Sequence, residues 1–316
     1  MAAVEGTMRP AGKFIDPAVT AKGERRAGVA LSRLDTLWIN TGTLCNLTCA
    51  GCYIESSPRN DRLVYITAAE VAAYLDEIAD GGLDTREIGF TGGEPFMNPD
   101  FLAMAGDALE RGHRVLILTN AMRPMMKNAE GLLDLQQRYG ERLTLRVSID
   151  HYAKTRHQLE RGARSWDPMI RGVRWLAEHG FTVHVAGRTR WAEDEASLRQ
   201  GFRTLFAELE LSTDAADPME LVLFPEMDET AEVPEITEAC WGILHVDPAA
   251  MMCASSRMVV KRKGAQRPAV VACTLLPYDP QFELGHTLAE AAGTVQLNHP
   301  HCAKFCVLGG GSCSKA

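Results

Sequence analysis

Three cysteines fall in one short segment, Cys45-Asn-Leu-Thr-Cys49-Ala-Gly-Cys52. The thiolate is the form of cysteine that binds metal, and this spacing lets a single loop wrap one corner of a small inorganic cluster. Three thiolates on a four-iron cube leave one iron without a protein ligand, and that iron can chelate a small molecule. Two other readings remain: a structural zinc site, which closes with four ligands and has no fourth donor in this loop, and a set of buried thiols. A second chemical segment follows at Phe90-Thr-Gly92-Gly93-Glu94-Pro95. Its glycines allow backbone to approach a ligand closely, and its carboxylate can receive an ammonium group.

Six of the 9 cysteines lie beyond residue 239: Cys240, Cys253, Cys273, Cys302, Cys306 and Cys313. Cys253 and Cys273 bracket a hairpin, Arg257–Val271, with Lys263-Gly264 in its turn. Two thiols from that hairpin and two from the later loop can close a four-ligand site. The preferred set is Cys253, Cys273, Cys302 and Cys306, with Cys313 as substitute. The zinc alternative uses Cys302, Cys306, Cys313 and either His299 or His301. Cys240, just before Trp241, reads as a buried thiol.

The elements that position these groups are visible in the hydrophobic pattern. Strands are expected at Thr36–Thr41, Glu87–Thr91, Arg114–Thr119, Leu143–Ile149, Phe181–Ala186 and Glu220–Phe224, as the continuous apolar runs of strands buried on both faces. Helical periodicity is expected over 68–79, 100–110, 125–139, 168–178 and 195–209, the first opening with a capping box from Thr67 to Glu70. Repeated alternation of strand and helix indicates an α/β fold with a parallel sheet, open or curled toward a barrel. Reactive groups then collect on the loops after the strands, where both motifs fall. Alternation stops near Pro225. The chain divides into an arm at 1–34, a main unit at 35–235 and a cysteine-rich appendix at 236–316.

With 33 Lys+Arg against 41 Asp+Glu, the net charge of −8 disfavours an enzyme that must neutralise nucleic-acid phosphates. No apolar run reaches the ~18 residues of a membrane span, and residues 1–13 lack the layout of a secretory signal, so a cytoplasmic protein is expected. An odd number of cysteines in a reducing compartment favours metal ligation over a disulfide framework.

Taken together, these motifs resemble those of the radical S-adenosylmethionine (radical SAM) enzymes, whose signature is Cys-x3-Cys-x2-Cys after the first strand. The resemblance spans Thr36 to about Phe224 and implies a partial (β/α)6 barrel. It implies that Cys45, Cys49 and Cys52 hold a 4Fe–4S cluster, whose open iron binds the amino and carboxylate groups of S-adenosylmethionine. One electron from the cluster then splits that molecule to methionine and a 5′-deoxyadenosyl radical, which removes hydrogen from a substrate. By the same resemblance Gly92, Gly93 and Glu94 receive the methionyl ammonium, Ser148 and Asp150 hold the ribose, and Asn120 and Arg188 contact the nucleoside or the methionyl carboxylate. Many members carry an aromatic residue just before the third cysteine, against the adenine. Gly51 stands there in this chain, and Tyr53 is the candidate to take over that contact. The cysteine-rich appendix resembles the twitch or SPASM domains of such enzymes and implies one auxiliary 4Fe–4S cluster, since two would need more cysteines than the six available.

The expected function is hydrogen abstraction from a small-molecule substrate, with net oxidation or bond formation assisted by the auxiliary cluster and electrons from a flavodoxin- or ferredoxin-type protein. The alternatives are maturation of a ribosomally made peptide with a separate recognition partner, and a non-catalytic iron–sulfur or zinc protein. His184, Arg188, Glu226 and Asp228 are candidates to face the substrate; no catalytic acid or base stands out.

Overall fold

A computed structural model describes residues 12–226 and 228–309. The strands are β1 (Gly28–Val29), β2 (Thr36–Asn40), β3 (Glu87–Thr91), β4 (Arg114–Thr119), β5 (Leu143–Ser148), β6 (Thr182–Arg188), β7 (Leu221–Phe224), β8 (Ser256–Val260), β9 (Ala269–Val271), β10 (Glu283–Gly285) and β11 (Val295–Gln296). The helices are α1 (Ala68–Asp80), α2 (Phe101–Glu110), α3 (Arg123–Lys127), α4 (Ala129–Tyr139), α5 (Lys154–Arg161), α6 (Trp166–Glu178), α7 (Glu195–Glu208) and α8 (Ala239–Leu244). β2 through β7 pair in sequence order, all parallel, with one or two helices in each crossover. This is an α/β fold built on a mixed, mostly parallel sheet, with a cysteine-containing C-terminal region.

Alternation along the strands separates two cores. Leu37, Ile39, Ile88, Phe90, Val115, Ile117, Leu145, Val147, Val183 and Val185 pack with the helices. Trp38 and Leu116 belong to a second cluster, with Phe14, Met258, Val271 and Phe305. Side chains alternate across a strand, so the segments before β2 and after β7 cover what the helices leave bare. α1 starts where the sequence says it should: Thr67 Oγ1 accepts from Glu70 N while the Glu70 carboxylate accepts from Thr67 N. Such a cap contributes ~1 kcal/mol.

Three features differ from the sequence expectation. The stretch 125–139 is two helices, because Asn128 ends α3 and its side-chain amide donates to the Phe96 and Pro124 carbonyls. α5 had no apolar stripe to reveal it; its two buried residues are His157 and Glu160. The hairpin β8–β9, turning at Gly264 with φ +82°, extends the main sheet, since β8 pairs parallel with β2 from Thr36↔Ser256 to Ile39↔Val259. The segment before β2 is also tied down, by β1–β11 pairing and by the buried Arg26–Glu235 ion pair at 2.6 Å. Among the described residues, no helix is long and apolar enough to cross a membrane.

Trp38, fully buried, lies across Gly89 of the neighbouring strand, where an added Cβ would come within 2.4 Å of the indole. Gly89→Ala is therefore expected to destabilise the protein by ~1–3 kcal/mol through overpacking. The urea unfolding midpoint measures this, and an unchanged midpoint would mean that the indole can move aside freely.

Candidate functional site

The loop after β2 and the turn after β3 interlock. Gly93 N donates to Gly42 O (2.8 Å) and Glu94 N to Leu44 O (3.2 Å). Gly92 has φ +139°, and a Cβ there would lie 2.5 Å from Gly42 O; at Gly93 it would lie 2.1 Å from Leu44 O. The glycine pair is thus demanded first by the contact between two loops. Asn98 completes the arrangement, its amide donating to Thr41 O (3.0 Å) and Ile66 O (2.8 Å).

These loops open onto a cavity of about 130 Å3 at the carboxyl ends of the parallel strands. Its wall contains Cys45, Cys49, Cys52, Tyr53, Gly92, Gly93, Asn120, Ser148, Asp150 and Arg188, all proposed from sequence, together with Arg161, Phe224 and Leu275. Glu94 is the exception: it is buried behind the wall, accepting from Thr119 Oγ1 (2.8 Å), Asn120 N (2.8 Å) and Phe96 N (3.4 Å). Burial pushes its carboxyl up to about 7 in spite of these donors.

Two of the three thiols already receive backbone donors, Leu47 N to Cys45 Sγ (3.4 Å) and Ser56 N to Cys52 Sγ (3.3 Å). Burial pushes the Cys45 thiol up to about 12 and raises Cys49 as well. As free thiols Cys45 and Cys49 stay protonated, and a metal that displaces the proton makes them thiolates. The donor set, three thiols around one cavity with N–H groups aimed at sulfur, fits an iron–sulfur cluster. Among the described residues, no three His, Cys, Asp or Glu side chains gather as a site for a single metal ion. Thiols that each bind a separate iron need not converge on one point.

What holds the cysteine loop is a chain of buried charges. Ala50 N donates to Glu160 O (2.8 Å), Gly51 N to Glu160 Oε1 (2.5 Å), and Arg188 Nη2 to Gly51 O (2.9 Å). Asp150 accepts from Arg188 Nε (3.1 Å) and pairs with Arg161; Arg190 Nη1 donates to the second Glu160 oxygen (2.6 Å). Burial opposes ionisation of Asp150, yet the Arg161 and Arg188 guanidiniums hold its carboxyl below the usual range. A Cβ on Gly51 would sit 2.6 Å from Glu160 Oε1, so a larger residue before the third cysteine would push the Glu160 carboxylate away from the loop. Glu160 and Arg161 had no motif to reveal them; the unexplained Gly51 was the one signal.

The remaining substrate candidates lie off this wall. Glu226 is exposed beside Arg190, Asp228 caps a turn at Thr230, and His184 sits on β6 with its basicity pushed down to about 4 by burial and by Arg146. Cys240 contacts Thr237 and lines neither cysteine cavity. In the C-terminal region Cys253, Cys273, Cys302 and Cys306 line one small apolar cavity with Met252, Leu276 and Phe282. Leu275 N donates to Cys273 Sγ (3.3 Å) while Leu275 also walls the first cavity, so one residue separates the two sites along the chain. Burial pushes the Cys253 thiol up to about 11 and raises Cys302 further. Cys313 lies outside the described residues.

Residues 39–189 match the model of the Radical SAM superfamily. The chain is similar to the antilisterial bacteriocin subtilosin biosynthesis protein AlbA of Bacillus subtilis, with 31% identity over 143 residues, 45% of this chain and 30% of that protein. It is also similar to Fe-coproporphyrin III synthase of Methanosarcina barkeri, with 29% identity over 142 residues, 44% of this chain and 33% of that protein. The matches span about a third of these relatives' length. Among solved structures, Streptococcus suis SuiB bound to S-adenosylmethionine superposes with a TM-score of 0.57 at 14% identity, over 80% of this chain and 63% of that one. At that identity the likeness shows a shared fold.

Two expectations follow. Glu160→Ala should release the cysteine loop without removing a thiol, so iron bound after anaerobic reconstitution should be lost to a chelator about tenfold faster than from wild type, roughly the effect of removing a ligand's outer support. Equal loss rates would show that the loop holds itself. Glu94, with its folded-state pKa raised above the unfolded value, binds more protons native than unfolded, so its contribution to iron-free stability is full below about 4.5 and declines as pH rises through about 7. Thermal melts from pH 5 to 8 should show this decline weakened in Glu94→Gln.

Proposed function

We propose that this protein is a radical SAM enzyme acting on a small-molecule substrate. The observation that carries the reading is the single cavity walled by Cys45, Cys49 and Cys52, the Gly92-Gly93 turn and the strand-end residues Asn120, Ser148, Asp150 and Arg188. In this reading the six parallel strands form a partial (β/α)6 barrel over 35–235, preceded by the arm at 1–34 and followed by a twitch/SPASM-like unit over 236–316. When bound, the first cluster supplies the electron that cleaves S-adenosylmethionine to methionine and the 5′-deoxyadenosyl radical that abstracts hydrogen. The chain's own part is to hold and orient. Cys45, Cys49 and Cys52 leave one iron open; Gly92 and Gly93 bring backbone close to the methionyl ammonium, with the Glu94 carboxylate acting on it from behind the wall; Ser148, Asp150, Asn120, Arg188 and Tyr53 hold the nucleoside and the methionyl carboxylate.

Apolar groups in the wall, Ile54, Leu118, Phe224 and Leu275, would limit water around a reactive radical. Cys253, Cys273, Cys302 and Cys306 would ligate one auxiliary 4Fe–4S cluster, with Cys313 as substitute. Full ligation by four thiols suits an electron acceptor for a substrate radical, giving net oxidation or bond formation. A flavodoxin- or ferredoxin-type protein would supply electrons to the first cluster. A second reading, maturation of a peptide with a separate recognition partner, is favoured by the likeness to a bacteriocin biosynthesis protein; the porphyrin synthase favours the small molecule.

After anaerobic reconstitution the wild type should bind about eight irons per chain and cleave S-adenosylmethionine, while Cys→Ala at 45, 49 and 52 together should leave about four irons and no cleavage. Complete loss of iron in the triple variant would contradict two independent sites. Absence of cleavage by the reconstituted wild type would sink the enzyme reading in favour of an electron carrier or scaffold.

A further inference from the structure

Arg257, on β8, is 1% exposed. Its guanidinium donates to Cys253 O (2.6 Å) and Ser256 O (2.8 Å) through Nη1, to Ala291 O (2.8 Å) through Nε and to Gly293 O (3.0 Å) through Nη2. All four partners are backbone carbonyls, and among the described residues no carboxylate pairs with it. The guanidiniums of Arg26 and Arg161, by contrast, pair with Glu235 and Asp150. Arginine keeps its charge in proteins, and a buried charge without a counter-charge is costly. The negative charge within reach is one the free protein lacks. Arg257 sits on the backbone of Cys253, whose side chain shares a cavity with Cys273, Cys302 and Cys306. Neutral when protonated, these four thiols become four negative ligands when they bind metal.

We infer that Arg257 is the fixed counter-charge of the C-terminal cysteine site: it favours an anionic metal–thiolate group in that cavity and raises the group's reduction potential. The inference rests on the auxiliary-cluster reading above. The four carbonyls immobilise the planar guanidinium, so its charge costs no reorganisation when the site fills, and burial leaves little water to screen it. No proton moves at Arg257 itself. The effect is that of a permanent positive charge on a one-electron couple whose reduced form is the more negative.

The test uses the full chain carrying Cys→Ala at 45, 49 and 52, which isolates the C-terminal site, with Arg257→Met, Arg257→Gln or Arg257→Lys added. Iron per chain, the midpoint potential from EPR-monitored dithionite titration, and thermal midpoints of iron-free and loaded protein are measured. R257K should keep the parent's potential. R257M should lower the equilibrium constant for reduction about tenfold, a shift of about 59 mV to more negative potential for one electron. Iron-free R257M should lose some heat stability, because four buried carbonyls lose their donor, while the loaded form should lose more, because its counter-charge is gone as well. A potential unmoved in R257M, or equal destabilisation of the iron-free and loaded forms, overturns the proposal in favour of a carbonyl brace. If R257M does not fold, R257Q is read by the same criteria, and failure of both neutral variants to fold without iron also establishes the brace. A parent that binds no iron overturns the auxiliary-cluster reading itself, whereas normal iron uptake with an unmoved potential overturns only the counter-charge.

Discussion

The site depends on one contact, the Glu160 carboxylate accepting from the backbone of Gly51. A loop that offers three thiols to a cavity has little regular structure of its own, and its backbone groups must find partners elsewhere. Glu160 supplies one, but a buried carboxylate must itself be paired, which calls for Arg190 and brings Arg188 close. Arg188 in turn bonds Gly51 O and Asp150, and Asp150 is shared with Arg161 from the helix that carries Glu160. The ends of β5, α5 and β6 are thereby joined to the cysteine loop in one alternating sequence of charges. Each member satisfies a neighbour that would otherwise be buried unpaired.

This explains which parts of the molecule could be read from sequence. The parallel strands carry their signal locally: Leu37, Ile39, Val115 and Ile117 are apolar because helices cover them, and the strand bounds follow closely. The cysteine spacing and the Gly-Gly-Glu-Pro turn are local too, and the structure gathers them on one side of the sheet. Glu160 and Arg161 were illegible because their partners lie far away in sequence, on a helix too polar to show a periodic stripe. The break at Asn128 has no local signal because it depends on the Phe96 carbonyl, contributed by a different turn. The union of β8 with β2 was hidden because an apolar hairpin looks the same whether it stands apart or extends a sheet.

The two cysteine sites share more than chemistry. Phe224 at the end of β7 walls the first cavity and stacks on Phe305, between Cys302 and Cys306, with ring planes 4° apart. Leu275 faces the same cavity from two residues beyond Cys273. Tyr278 Oη donates to Ile54 O (2.9 Å) and so ties the C-terminal segment to the chain just after Cys52. The wall of the first cavity is therefore built jointly by the sheet and the C-terminal segment, and its shape depends on how the C-terminal cysteines are held.

The parallel register of β8 on β2 bears on how the chain is made. During synthesis β2 emerges early and can pair with β3 as soon as α1 has folded, but its other edge has no partner until residues 256–260 leave the ribosome. An apolar strand with an open edge is a template for wrong pairing, and closing it requires contact between distant parts of the chain, which is slow. The late strand lies between Cys253 and Cys273, so covering that edge also places two of the four C-terminal thiols.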